Sequence, residues 1–234
     1  MAAPSPSEIK SLPEPDIDLD ALRDELIALT QCKSTYRFFK RVFDIIFSAG
    51  VLLVFSPLYL LLALIIFLDD PHGSPFYTQM RIGRNGRLFR FYKFRSMVVN
   101  ADELKPSLLD RNDKEGPAFK IKDDPRVTRV GRFIRRTSLD ELPQFWNVLK
   151  GDMTIVGPRP PLPEEVAQYN RYHKLRQLAV PGLTCYWQIQ DNRDDIPFDD
   201  WIALDIQYIR DQNFLLDLKL TLLTLRAMVS SQGH

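Results

Sequence analysis

Residues 42–68, VFDIIFSAGVLLVFSPLYLLLALIIFL, carry one charge, Asp44, in an otherwise apolar run. A segment this greasy must be buried in protein or in lipid, and this constrains the fold more than any other part of the sequence. As one straight helix its 27 residues would reach about 40 Å, more than the roughly 30 Å hydrocarbon core of a bilayer. A spanning helix is the plain reading, and two features oppose it. Lys33, Arg37, Lys40 and Arg41 precede the run and Arg81, Arg84, Arg87 and Arg90 follow it. Basic flanks tend to stay on the cytoplasmic side, which would place both ends there, although Asp69 and Asp70 abut the exit. Ser56-Pro57 falls near the middle, where proline removes a backbone donor and clashes with the preceding turn. A bend there leaves arms of about 14 and 12 residues, each about 20 Å long and too short to cross alone. The run therefore reads as a re-entrant helix-break-helix or as a kinked spanning helix, because bilayers tolerate proline.

The whole chain has 234 residues and is 45% hydrophobic, enough for one ordinary domain and a short appendage. The net charge of +1 hides an asymmetry: residues 1–30 hold two Lys/Arg against seven Asp/Glu, and residues 81–136 hold sixteen against seven. A basic block of this kind attracts phosphates, and charge alone does not say whether they sit on nucleotides, lipids or nucleic acid. Cys32 and Cys185 fit no metal spacing and read as free thiols. His72, His173 and His234 have no ligand spacing. The acidic, proline-rich start lacks the apolar run of a cleaved secretory signal.

Leu19, Leu22, Leu26 and Leu29 space an amphipathic helix over residues 17–30, able to dock on the domain or on a partner. The stretch PFYTQMRIGRNGRLFRFYKFRSM alternates aromatic and basic residues around Asn85-Gly86, predicting a β-hairpin. Gly83 and Gly86 serve its turn better than a phosphate cradle. Lys93 and Arg95 share a strand face with Phe89 and Phe91, as residues of a solvated face also would. Residues 101–125 read as loop or short helix, and the chain beyond 198 as helical. Its last part is apolar nearly all round, hence buried or lying in a membrane interface.

The stretch RRTSLDELPQFW places two carboxylates before an apolar helical stripe. With Asp140 as N-cap, Pro143 falls in the first turn, where its missing N–H costs little. The helix then runs to about Lys150, stops at Gly151, and turns Leu142, Phe145, Trp146 and Leu149 inward. On this reading Asp140 caps a helix and Glu141 complements its dipole. The competing reading is chemical: a carboxylate held at a helix start can attack phosphorus while its neighbour, diverging by about 100°, binds a metal. Arg159, held between Pro158 and Pro160, is either displayed for a bidentate grip on phosphate or sits in a rigid surface turn. Arg193 lies among aspartates that offer ordinary ion pairs.

The segments FYKFRSM, DPRVTRVGRF, RRTSLDELPQFWNVLKGDMTIVGPRP and PGLTCYWQI, together with the proline-broken apolar run, resemble the bacterial sugar transferases, the monotopic polyprenyl-phosphate phosphoglycosyltransferases. The resemblance covers about residues 36–229. It implies an α-rich α/β fold: a re-entrant membrane helix, a small β-hairpin/α active-site region, and interfacial amphipathic helices, at the cytoplasmic face of a bacterial inner membrane. It divides the chain into an extension (1–35), the membrane helix (36–70) and a catalytic region (71–234). The implied reaction transfers a sugar 1-phosphate from a UDP-sugar to undecaprenyl phosphate and releases UMP. In it Asp140 would be the nucleophile and Glu141 the ligand of Mg²⁺, with Lys93, Arg135, Arg159 and Arg193 contacting phosphate or nucleotide and Ser56-Pro57 forming the helix break. Expected partners are the UDP-sugar, the polyprenyl phosphate and membrane lipids, not nucleic acid, and the first amphipathic helix could serve a homodimer.

Two departures stand out: Asn192 occupies a position where many relatives have glycine before the matched Arg193, and the resemblance gives residues 1–35 no purpose. A membrane-anchored regulator that holds anionic lipid or nucleotide would explain the basic block but would leave the acidic pair without a task. A conventional glycosyltransferase releasing UDP would want a DxD metal motif, and the matched region offers none.

Overall fold

The computed structural model describes residues 18–113, 116, 117, 119, 121–190 and 195–229. The predicted amphipathic helix is α1, Leu19–Cys32, capped by the Asp18 carboxylate on the Asp20 and Ala21 amides at 3.0 and 3.1 Å. Leu22 and Leu26 are buried against Leu175, Ile202, Ile206 and Ile209, so this helix docks on its own domain.

The greasy run is two helices, α2 (Ser34–Val54) and α3 (Ser56–Asp69), meeting at 60°. The break lies at Phe55, one residue before Ser56-Pro57, and the Ser56 hydroxyl donates to the Leu53 carbonyl at 2.8 Å. Proline here sits in the first turn of α3, where no donor is lost. No single helix among the described residues is long and apolar enough to cross a membrane, whereas the bent pair taken together is. Helix α2 reverses the usual arrangement. Along α2 the polar side chains of Lys40, Arg41, Asp44 and Ser48 turn toward the domain, while Phe38, Phe39, Ile46 and Leu53 are exposed. On α3, Leu62 and Ile66 pack on Phe94, Ile134 and Leu142, leaving Leu60, Leu64 and Leu68 outside.

The predicted hairpin forms from β1 (Phe76–Ile82) and β2 (Leu88–Phe94), paired antiparallel. Its turn requires positive φ at Asn85 (55°) and Gly86 (79°), so the glycine serves the turn. Short helices α4 (Ala101–Leu104) and α5 (Arg129–Arg136) follow, then α6, Gln144–Lys150, which ends at Gly151 with φ 89°.

The register predicted for α6 is corrected in two ways. Leu139–Glu141 is a separate 3-10 turn and the helix cap is Pro143, so Asp140 caps nothing. The inward face carries Gln144, Asn147 and Val148, while Trp146 is half exposed. The reason is hydrogen bonding: the fully buried Asn147 amide donates to the Arg90 carbonyl at 2.6 Å and accepts from the Tyr92 amide at 3.1 Å. It thereby satisfies backbone groups of β2 that have no strand partner on that side.

Strands β3 (Thr154–Val156) and β4 (Gly182–Thr184) pair in parallel, with α7 (Pro163–Ala167) and a 3-10 turn at His173–Leu178 between them. A Cβ at Gly182 would lie 2.1 Å from the Gly157 nitrogen, so only glycine permits this close approach. Helices α8 (Phe198–Asp211) and α9 (Phe214–Val229) complete the described chain. Like α2, α9 buries polar groups, Asp217 and Thr221, and exposes Leu215, Leu222 and Leu225. The main core lies between the hairpin, β3, α6 and the last two helices. The described residues are helix-rich with two small two-stranded sheets, an α/β composition.

Candidate active site

A cavity of about 370 Å³ opens where the hairpin, the 135–145 segment and the 155–188 segment meet. Lys93, Arg135, Asp140, Glu141 and Arg159 all line it, so five of the six charged residues singled out from the sequence converge. The sixth, Arg193, lies outside the described residues, as does Asn192.

The charged residues come from separate elements, except that Asp140 and Glu141 share one 3-10 turn. Lys93 projects from β2 on the same face as the buried Phe89 and Phe91. Arg135 rides the last turn of α5, which presses on the hairpin's exit so closely that a Cβ at Gly131 would lie 1.9 Å from the Ser96 carbonyl oxygen. Between α5 and the dyad the backbone passes through Ser138 at φ 55°, a left-handed conformation rare for serine, which also lines the cavity. The Tyr59 hydroxyl of α3 donates to the Leu142 carbonyl, tying the broken helix to the segment that bears the carboxylates.

Arg159 is exposed at the tip of a loop clamped through its backbone. The buried Arg81 donates to the Pro160 carbonyl at 2.8 Å, the Ile82 amide to Pro161 at 2.9 Å, the Gly182 amide to Pro158 at 2.9 Å, and Arg176 to the Arg159 carbonyl at 3.0 Å. Arg176 is itself locked by an ion pair with Asp205 at 2.6 Å. No motif in the sequence marked Arg81 or Arg176, because each acts on a carbonyl distant in the chain. The aromatic wall was missed too: Trp187 and Trp201, stacked at 4.3 Å, line the cavity with Tyr169 and Phe198.

The electrostatics are those of a site short of anions. Asp140 is buried, which lifts its carboxyl to about 6; Lys93 opposes the rise, Glu141 adds to it and Arg135 opposes it. Burial pulls Lys93 down while Asp140 holds it up. Arg81 is pulled down to about 10, first by burial and then by the neighbouring Arg159 charge. Glu141 is exposed, and its side chain makes no hydrogen bond or ion pair with any described residue. No cluster of three or more His, Cys, Asp or Glu that could hold a metal ion occurs among the described residues.

The family model described as bacterial sugar transferase matches residues 35–231. The chain belongs to the bacterial sugar transferase family. Among bacterial sugar transferases, the galactosyl transferase CpsE of Streptococcus agalactiae serotype III is 50% identical over 161 residues, 69% of this chain and 36% of that protein. The undecaprenyl-phosphate galactose phosphotransferase of Salmonella typhimurium is 42% identical over 206 residues, 86% of this chain and 42% of its own. The exopolysaccharide production protein ExoY of Rhizobium meliloti is 38% identical over 198 residues, covering 83% of this chain and 87% of that protein. The chain thus spans less than half the length of the first two of these bacterial sugar transferases, and helix α1 lies outside the family match.

Proposed function

We propose that this protein transfers a sugar 1-phosphate from a UDP-sugar to undecaprenyl phosphate and releases UMP. The observation that carries this reading is the convergence of Asp140 and Glu141 with Lys93, Arg135 and Arg159 in one cavity. The Salmonella relative, named as an undecaprenyl-phosphate galactose phosphotransferase, supports it, as does the glucose phosphotransferase of Komagataeibacter xylinus.

Arg135, Arg159 and Lys93 take the donor diphosphate, relieving the repulsion among the cations that line the cavity. An Asp140 carboxylate oxygen attacks the phosphorus next to the sugar, and the bond from that phosphorus to the bridging oxygen breaks, so that UMP leaves with the oxygen. A phosphate oxygen of undecaprenyl phosphate then attacks the same phosphorus and displaces the carboxylate, regenerating Asp140. Two displacements through one aspartyl intermediate give ping-pong kinetics. Glu141 is the candidate ligand for Mg²⁺, whose shell is commonly one or two carboxylates completed by substrate phosphate and water; an unengaged carboxylate beside the nucleophile fits that donor set. When bound, the ion would neutralise diphosphate charge. The stacked Trp187 and Trp201 offer the donor an apolar wall.

The outward leucines of α3 and α9 and the inward polar groups of α2 fit a lipid-facing surface. We take the α2–α3 pair as a re-entrant element that enters and leaves on the cytoplasmic face and keeps the acceptor phosphate near the cavity. UMP and UDP are to be quantified separately from protein given Mg²⁺, undecaprenyl phosphate and a panel of UDP-sugars. Acceptor-dependent UMP is expected; UDP would mean ordinary glycosyl transfer, and neither product would leave a binding protein. Without acceptor, intact mass should show a phosphosugar adduct that Asp140→Asn abolishes, and its survival in that variant would move the nucleophile elsewhere. Glu141→Gln should mainly weaken the response to Mg²⁺, so an unchanged metal titration would remove its assigned role.

A further inference from the structure

A second cavity, of about 450 Å³, lies between α1, the hairpin turn and the 3-10 turn at His173–Leu178, and shares no lining residue with the first. Arg23 of α1, Arg84 of the hairpin turn and Lys174 converge on it. No carboxylate lines it among the described residues, and none of the three cations forms an ion pair with a described residue. The contrast with their surroundings is sharp. The neighbouring Arg171 pairs with Asp20 at 2.6 Å and Arg210 pairs with Glu25 at 2.8 Å, so two of the three acidic residues of α1 are used elsewhere.

Two further donors of the wall, Arg84 Nε and Gln177 Nε2, are buried without any acceptor. Buried donors lacking acceptors are costly unless a ligand supplies the oxygens. Like charges converging without a counter-charge repel one another, a cost that falls when an anion with several oxygens enters. Ile27 and Leu178 add an apolar patch beside the cations. A volume of this order falls in the usual range for small-molecule sites, about 300–1,000 Å³.

We propose that this cavity is a second anion site that binds a phosphate-bearing ligand of nucleotide size. One of its walls is α1, outside the family match, which gives the extension a task beyond packing. The proposal does not rest on the reaction assigned to the first cavity. An occupant would grip the same elements that hold Arg159. The hairpin supplies Arg81 and Ile82 to the Pro160 and Pro161 carbonyls, and the turn bearing Lys174 also bears Arg176, which donates to the Arg159 carbonyl.

The test is calorimetric titration of the full detergent-solubilised chain with inorganic pyrophosphate. Two variants serve as arms: Arg23→Gln/Lys174→Gln, which neutralises the second cavity, and Arg159→Gln, which weakens the first. The binding step lost or weakened at least tenfold in the double variant should persist in Arg159→Gln. It should return in Arg23→Lys/Lys174→Arg, which keeps the charges and separates them from any packing defect. If wild-type protein gives no pyrophosphate heat, short-chain phosphatidylglycerol replaces it as titrant; the same pattern of loss and rescue would assign the phosphate to a lipid headgroup. A double variant that titrates like wild type, a single step removed by Arg159→Gln, or no heat with either titrant would overturn the proposal.

Discussion

Asp140 is asked to be two things at once, a buried group and an ionised one. Burial raises its carboxyl to about 6, and of its neighbours Lys93 opposes the rise most. In the proposed mechanism only the ionised carboxylate attacks, so protonation removes the nucleophile and kcat/KM should fall below about pH 6, approaching tenfold per pH unit. Lys93→Gln deletes the largest opposing charge and should move this acid limb to higher pH. A pH–rate profile of the variant with its limb unmoved would show that Lys93 serves only the substrate. Arg159 poses a different problem, since its side chain is exposed while its carbonyl and those of its proline neighbours are clamped by Arg81, Arg176 and two backbone amides. Arg159→Ala should lower kcat/KM by about 100-fold, the scale of losing one positioned charge donor in a reaction that develops charge, with the thermal unfolding midpoint unchanged. A destabilised variant would mean that the side chain serves the fold.

At the scale of elements, the site depends on how α5 meets the hairpin. The Gly131 Cα faces the Ser96 backbone with no room for a methyl group, and Arg135 lies one turn further along the same helix. Gly131→Ala must push α5 outward, at a cost of about 1–3 kcal/mol for overpacking, and carry Arg135 away from the cavity. A lower melting temperature together with a fall in kcat/KM larger than in a surface control is the expected result. A fall in melting temperature alone would show that the cavity tolerates the shift. Helix α2 acts on the other side of the site, and its inward polar face is a set of cross-links. Arg41 donates to the Val148 and Leu149 carbonyls at the end of α6 (2.6 and 2.7 Å), and Asp44 accepts from Thr154 Oγ1 and the Ile155 amide (2.7 and 3.0 Å). Lys40 pairs with Asp217 of α9 at 2.6 Å. One helix thus fastens α6, β3 and α9 together, which is why a charge appears inside an apolar run.

For the molecule as a whole, the exposed leucines of α3 and α9 and the bend between α2 and α3 define a single expectation about topology. Cys32 is exposed just before α2 and Cys185 is buried, so the native protein already carries one accessible probe. Pairing it with His72→Cys, just after α3, tests the re-entrant arrangement in sealed inverted vesicles with an impermeant thiol reagent. Both positions should label from the cytoplasmic side, and labelling from opposite sides would make the bent pair a spanning element.

The hairpin, the ends of α6 at Gly151 and of α1 at Asp18, and the break beside Ser56-Pro57 are written locally. Each follows from a turn residue, a cap or a missing donor acting within a few positions. The candidate residues Lys93, Arg135, Asp140, Glu141 and Arg159 were legible as residues through their motifs, yet spacing alone could not gather them, since they span three separate stretches of chain. Tertiary contacts decided the rest. Asn147 took the inward face expected of Trp146 because unpaired backbone groups of β2 needed an amide. Asp140 left the helix cap for a 3-10 turn because Ser138 bends the backbone there. The Arg81 and Arg176 clamps join carbonyls to arginines 79 and 17 residues away, and the cationic cavity against α1 joins three elements distant in sequence. Periodicity and capping are short-range and can be read from the chain, whereas satisfying a buried donor or balancing a buried charge depends on whichever residue the fold brings beside it.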